Sequence, residues 1–353
     1  MKRQNLFLHA FAGLLFLLIS VIPVDASEWE CILQDKFIEC IAVNPVKPIV
    51  YVGVAIEGVY KTENRGKDWA HIDNGLDPLT WVYGIAVDPK DTDIMYVGSC
   101  TGIYKSTNAG LNWIKKYPPD NNIFAVAIDP NNTQIVYSGH YKSIDGGNKW
   151  GKMNIEERFL ITDFTIEPEH TKVIYAASWV TAFILKSSDS GKTWNVINNK
   201  GFSHVAIDPI QTETIYTGGL NGLYKSIDAG KTWKSISQGL PGGAIRPVLV
   251  DPIDHRIVYT GIDGVGIFFS NDAGETWRQL DKKGFPRNTT FWDLAINPSN
   301  PSVLYAATDN GLWSLELEPR VTHSIQPFGK MTTTWGNKKG LLSQTLVLHT
   351  YFR

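Results

Sequence analysis

The chain is poor in the residues and motifs that usually announce a chemistry. Its 353 residues hold three cysteines and four methionines. Cys31, Cys40 and Cys100 form no metal or haem pattern. Lys and Arg number 33 against 35 Asp and Glu, a formal charge of −2, which indicates neither a nucleic-acid surface nor an acidic solvating chain. No P-loop, dinucleotide fingerprint, nucleophile elbow or metal-ligand spacing occurs, so no cofactor and no metal are expected. After the first 26 residues no helical apolar period of useful length appears, and no apolar run could span a bilayer.

What the chain does have is repetition. One pattern recurs six times: TENRGKDW (62–69), STNAGLNW (106–113), SIDGGNKW (143–150), SSDSGKTW (187–194), SIDAGKTW (226–233) and SNDAGETW (270–277). A fixed period of roughly 40 residues belongs to blade or solenoid architectures. Upstream of each copy lies an apolar run ending in Pro, then a turn, then an apolar-Tyr run, as in IAVDP to MYVG (85–98) or VAIDP to IYTG (205–218). This larger pattern occurs seven times, the last from LAINP to LYAA (294–307).

Each unit reads as four short strands. Proline ends the first, because it cannot continue a central ladder. The Tyr run is the second, the GVYKT type (58–62) is the third, and the Trp of the repeated hairpin leads into the fourth. Val, Ile, Tyr and Trp fill these runs while Gly, Asn and Asp fill the gaps, which is strand and turn chemistry. Seven such sheets predict an all-β, seven-bladed β-propeller. The seventh unit ends at GLWSLE (311–316) without a hairpin, whereas the orphan WECIL (29–33) resembles the fourth strands. The N-terminal strand is therefore expected to complete the last blade and cover its edge. That latch separates Cys31 from Cys40 by three strand spacings of about 4.8 Å each. No disulfide is expected between them, since a bridge spans at most roughly 7 Å.

The hairpin pattern S-x-D-x-G-x-T-W resembles the Asp-box, or bacterial neuraminidase repeat. The whole unit is similar to those of sortilin-type receptors, xyloglucanase propellers and the photosystem II assembly factor propeller, over residues 29–318. Asp145, Asp189, Asp228 and Asp272 are read as structural, because Asp accepts local backbone N–H bonds in tight turns. Asn64 and Asn108 keep that chemistry without the charge.

The ends divide the chain into three. Residues 1–26 read as a secretory signal peptide, with Lys2 and Arg3 before an apolar stretch and small residues at 24–26. Residues 27–318 are the propeller, and 319–353 read as a linker or disordered tail. The expected location is secreted, periplasmic or at the cell surface.

Aligning the inner strands on their Asp-Pro turns exposes the mouth of the axial channel, on the face opposite the hairpins. There stand Glu39, Tyr83, Asp163, His204, Arg246, Trp292 and Asp293. Carboxylates and a guanidinium bond hydroxyls and amides while aromatic faces stack on rings, so these seven are the candidate ligand-binding residues. No catalytic residue is assigned. The sialidase sequence Phe-Arg-Ile-Pro or Tyr-Arg-Ile-Pro is missing, and the resemblance to xyloglucanases implies a cleft between two propellers where this chain has units for one. The expectation is an exported, monomeric, non-catalytic scaffold that binds or assembles with a protein or glycan, not with nucleic acid. The alternative is a glycoside hydrolase of sialidase-like or xyloglucanase-like type, for which Asp163 and Asp293 offer a carboxyl pair.

Overall fold

A computed structural model of the chain describes residues 28–117, 123–179, 182–199, 202–220, 222–280, 284–297 and 300–317. The expected leader and the expected tail both lie outside the described residues. Among those residues there is no helix, and every strand belongs to one of seven four-stranded antiparallel sheets. The fold is a seven-bladed β-propeller.

Inner strands Ile38–Val43, Val82–Val87, Val126–Ile128, Ile161–Ile166, Phe202–Ile207, Ile245–Val250 and Phe291–Asn297 surround the axis. The first of them packs against both the second and the seventh, so the ring is closed. Outside each lies the Tyr-bearing second strand, in which VYVGV, MYVGS, IYAAS, IYTGG and VYTGI are buried at every position. Blades cover both faces of this strand, which is why its sequence is a continuous apolar run rather than an alternating one. Gly53 shows how tight the approach is: a Cβ there would lie 2.7 Å from the Val82 carbonyl of the next blade.

The latch forms as the pattern predicts. Glu30–Gln34 pairs antiparallel with Gly311–Glu316, Cys31 opposite Trp313 and Leu33 opposite Leu312. Trp29 is buried and packs on Phe285, whose ring also meets Phe291 and Trp313. Cys31 thus sits on the outermost strand of blade seven and Cys40 on the innermost strand of blade one, and all three thiols are free. The Cys31 thiol donates to Leu33 O and the Cys40 thiol faces Val82 O.

The repeated hairpins are held from within. In SIDAGKTW, Asp228 Oδ1 accepts from Ser226 Oγ at 2.8 Å and from the Thr232 N–H at 2.8 Å, while Oδ2 accepts from Thr232 Oγ1 at 2.6 Å. Ser226 Oγ in turn accepts the Gly230 N–H at 2.9 Å. Asp145, Asp189 and Asp272 accept in the same way, and Asn64 and Asn108 do so without charge. Two successive residues turn left-handed, Ala229 at φ 57° and Gly230 at φ 87°. A Cβ on the second would fall 2.4 Å from Ile197 of the preceding blade.

A lysine precedes the hairpin serine in four blades and joins each to the next. The ammonium groups of Lys105, Lys142, Lys186 and Lys225 stand 5.2–5.5 Å over the second-strand rings of Tyr96, Tyr137, Tyr175 and Tyr216. Each also donates to a hairpin carbonyl of the following blade, at 2.7–3.0 Å. Cation–π attraction and a charged hydrogen bond thus tie blade to blade where the lysine stem is already buried.

Candidate functional site

Strand register places the candidate residues. In six of the seven blades the inner strand slips out of register near its start: Ile38 and Cys40 pair across the ladder, for instance, and Glu39 between them does not. Tyr83, Thr162 and Trp292 occupy the same unpaired position, and in blade six Arg246 and Pro247 do. A β-bulge bends the strand and re-aims the extra side chain. Of these residues, Glu39, Tyr83, Thr162, Arg246 and Trp292 line the channel mouth.

The mouth is a funnel of about 320 Å³ lined by Phe37, Glu39, Trp81, Tyr83, Phe124, Thr162, Trp179, His204, Arg246 and Trp292. Its aromatic rings are linked. Phe124 stacks on Tyr83 at 4.2 Å between centroids, Tyr83 on Trp81 at 5.9 Å, and Phe37 lies 5.8 Å from Trp81 and 5.3 Å from Trp292. The Arg246 guanidinium lies 4.5 Å from the Trp292 ring and 5.4 Å from that of Trp179. Its Nε donates to Asp263 Oδ2 at 2.8 Å, and Asp263 Oδ1 accepts the Phe291 N–H at 3.0 Å.

Electrostatics follow from this enclosure. Glu39 Oε1 accepts from Trp81 Nε1 at 2.9 Å, but desolvation outweighs that bond and lifts the Glu39 carboxyl to about 7. Burial, aided by the positive charge of Arg246, holds His204 down at about 4, so the imidazole is neutral at physiological pH. Burial likewise pushes the Tyr83 phenol up to about 12.

Below the funnel, and sharing part of its wall, a second cavity of about 180 Å³ follows the axis and adds Asp163 and Asp293. Burial raises Asp163 to about 6 and Asp293 to about 7, the latter also through repulsion from Asp163. Both carboxylates bridge blades. Asp163 Oδ2 accepts the Val205 N–H at 3.0 Å, and Asp293 Oδ2 accepts the Ile41 N–H at 2.9 Å.

The structure therefore brings five of the seven candidates together in the funnel and sets the remaining two, Asp163 and Asp293, on the channel wall beneath. Sequence reasoning missed Phe37, Trp81, Trp179 and Asp263. Phe37 and Trp81 stand two residues before Glu39 and Tyr83, a spacing open to inspection. Trp179 and Asp263 sit in hairpins between second and third strands, where no alignment on the Asp-Pro turn reaches them. Among the described residues no three His, Cys, Asp or Glu side chains gather so as to hold a metal ion, and no helix is long and apolar enough to cross a membrane.

With fold and site in view, the chain is a propeller with a funnel of aromatic and ionisable side chains at its axis. No family model matches it. Over 352 residues it is 23% identical to a xyloglucanase of Paenibacillus sp, covering 83% of this chain and 31% of that protein. Over 326 residues it is 29% identical to a probable oligoxyloglucan-reducing end-specific xyloglucanase of Neosartorya fischeri, covering 82% of this chain and 38% of that one. The chain thus spans about a third of the length of these curated relatives. Among solved structures, the GH74 enzyme of Niastella koreensis superposes with a TM-score of 0.68 at 20% identity, over 82% of this chain and 53% of that one. YCF48 from Cyanidioschyzon merolae superposes with a TM-score of 0.62 at 16% identity, over 82% of this chain and 98% of that one. These likenesses bear out the propeller fold. They also correct the expectation of a non-catalytic binding or assembly scaffold, because the curated relatives are named as xyloglucanases, which are hydrolases. The repeated hairpins carry no information about activity, because their carboxylates accept bonds within their own turns.

Proposed function

We propose that the chain is a glycoside hydrolase acting on a xyloglucan-type polysaccharide, exported by its leader to meet that polymer, and that its six hairpins are Asp-boxes. The observation that carries this reading is Glu39: a carboxyl held at about 7 inside an aromatic funnel, on a chain whose curated relatives are xyloglucanases. Pyranose rings present apolar faces that stack on Trp81, Tyr83 and Trp292, while Arg246 and His204 supply polar contacts in the funnel wall.

A carboxyl near 7 is protonated at mildly acidic pH and suits a proton donor. Glu39 gives its proton to the glycosidic oxygen as the C1–O bond breaks and the electron pair leaves with that oxygen. A second carboxylate must take the proton of the water that adds to C1. We assign that role to Asp163, which lines the cavity beneath the funnel together with Glu39 and whose carboxyl, unlike that of Asp293, is raised by burial without repulsion from the other channel carboxylate.

The test is release of new reducing ends from xyloglucan by the purified chain. Glu39→Gln should lower turnover by about 10²-fold or more, the usual worth of a general acid, and leave polymer binding in place. Asp163→Asn should also abolish turnover. Asp293→Asn, which removes an equivalent blade-to-blade bond without the proposed chemical role, should retain it. No reducing ends from wild type, or full activity in Glu39→Gln, overturns the reading.

A further inference from the structure

Trp81 precedes the inner strand of blade two, yet its side chain reaches back to blade one. The indole N–H donates to Glu39 Oε1 at 2.9 Å. The indole is fixed on several sides. Its backbone N–H meets Cys100 Sγ at 3.2 Å, its carbonyl accepts the Cys100 N–H at 3.0 Å, and its ring lies edge-on to Phe37 and stacked on Tyr83. A donor so held can fix only one carboxyl oxygen.

We infer that Trp81 is the positioning residue of Glu39: its N–H anchors Oε1 and leaves Oε2 as the oxygen that carries and donates the proton. For its catalytic consequence this rests on the hydrolase reading above, while the hydrogen bond can be tested without turnover. The other titratable and charged groups around Glu39 bear on its charge rather than on one of its oxygens. Arg246, from blade six, favours the carboxylate through its charge but is bonded to Asp263. Burial keeps the Cys40 thiol and the Tyr83 phenol protonated near neutral pH. His204 is a neutral imidazole there, and Asp163 and Asp293 spend one oxygen each on a neighbouring blade.

The sign of the effect is fixed by the chemistry. A donor on the carboxylate stabilises the charged form and lowers the Glu39 pKa, so removing it raises the pKa further. Two measurements test this. In the wild-type chain, the Trp81 indole ¹⁵N–¹H resonance should titrate with the Glu39 midpoint near 7, and that titration should vanish in Glu39→Gln. In Trp81→Phe, which keeps a ring and loses the donor, the Glu39 midpoint, read by carboxyl ¹³C shift, should rise by about one unit, since a hydrogen bond to a charged group is worth roughly 1.5–3 kcal/mol and one unit is about 1.4 kcal/mol. The alkaline limb of the xyloglucan pH profile should move up by the same amount. An indole resonance that does not titrate, or a midpoint unmoved in folded Trp81→Phe, overturns the inference, and the wild-type experiment decides it even if that variant fails to fold. An indole that titrates in a chain without turnover sinks the hydrolase reading instead, and with it the catalytic half of this one.

Discussion

At the scale of single residues, three carboxyls are held out of their ordinary range by enclosure: Glu39 and Asp293 at about 7 and Asp163 at about 6. A carboxyl raised on folding takes up a proton as the chain folds. The stabilisation is therefore complete below its unfolded value, about 4, and is lost as pH rises through 6 to 7. Thermal melts of the wild type should thus show a component that declines between about pH 5 and 7.5. In Glu39→Gln, whose amide oxygen still accepts from Trp81 without a charge, that decline should be shallower. An identical slope in the two proteins would show that Glu39 is not raised. The sequence could nominate Glu39 as polar among apolar neighbours. It could not show that Trp81, 42 positions away, lies against it.

At the scale of the element, the hairpin is a small self-sufficient structure, and its aspartates titrate the other way. Asp189 and Asp228 are held at about 2 by the threonine and backbone donors that surround them. Depressed groups stabilise above their unfolded value and lose that contribution as pH falls toward 2. Asp228→Ala should lower the melting temperature at neutral pH, and by less at pH 2, while leaving polysaccharide binding intact. The reason is topological: third strands end at the hairpins on the same face where inner strands end, and the funnel opens where inner strands begin. Loss of binding in a folded Asp228→Ala chain would place the site on the wrong face. The hairpin was legible because each job in it belongs to one side chain at a fixed offset. The bulges at the inner-strand starts were not, because the Ile38 to Ala42 stretch reads as an ordinary strand and only its pairing with Val50–Val54 shows Glu39 left out.

At the scale of the molecule, closure joins the two ends of the propeller in one sheet. A chain begun at Phe37 would lack Glu30–Gln34 and leave Gly311–Glu316 an unpaired edge, the kind that recruits another strand. It should melt at lower temperature and self-associate on size-exclusion chromatography. A truncated chain that melts and elutes like one that keeps Glu30–Gln34 would mean the latch contributes nothing. Trp29 and Phe285 add to the same seam.

The sequence by itself determined the repeat, the strand order within a blade, the blade number and the N-terminal latch, because these depend on local propensities and on counting units. It also placed the seven candidate residues at the axial end of the inner strands, since a common turn sets a common register. Tertiary structure alone decided what those residues meet. The bulges turn Glu39, Tyr83 and Trp292 into one funnel, and hairpins from other blades bring Trp179 and Asp263 to Arg246. Asp163 and Asp293 drop onto the channel wall as bridges between blades. Proximity across a ring is a property of closure, and enclosure is what raises the carboxyls. Neither is carried by any segment of the chain read alone.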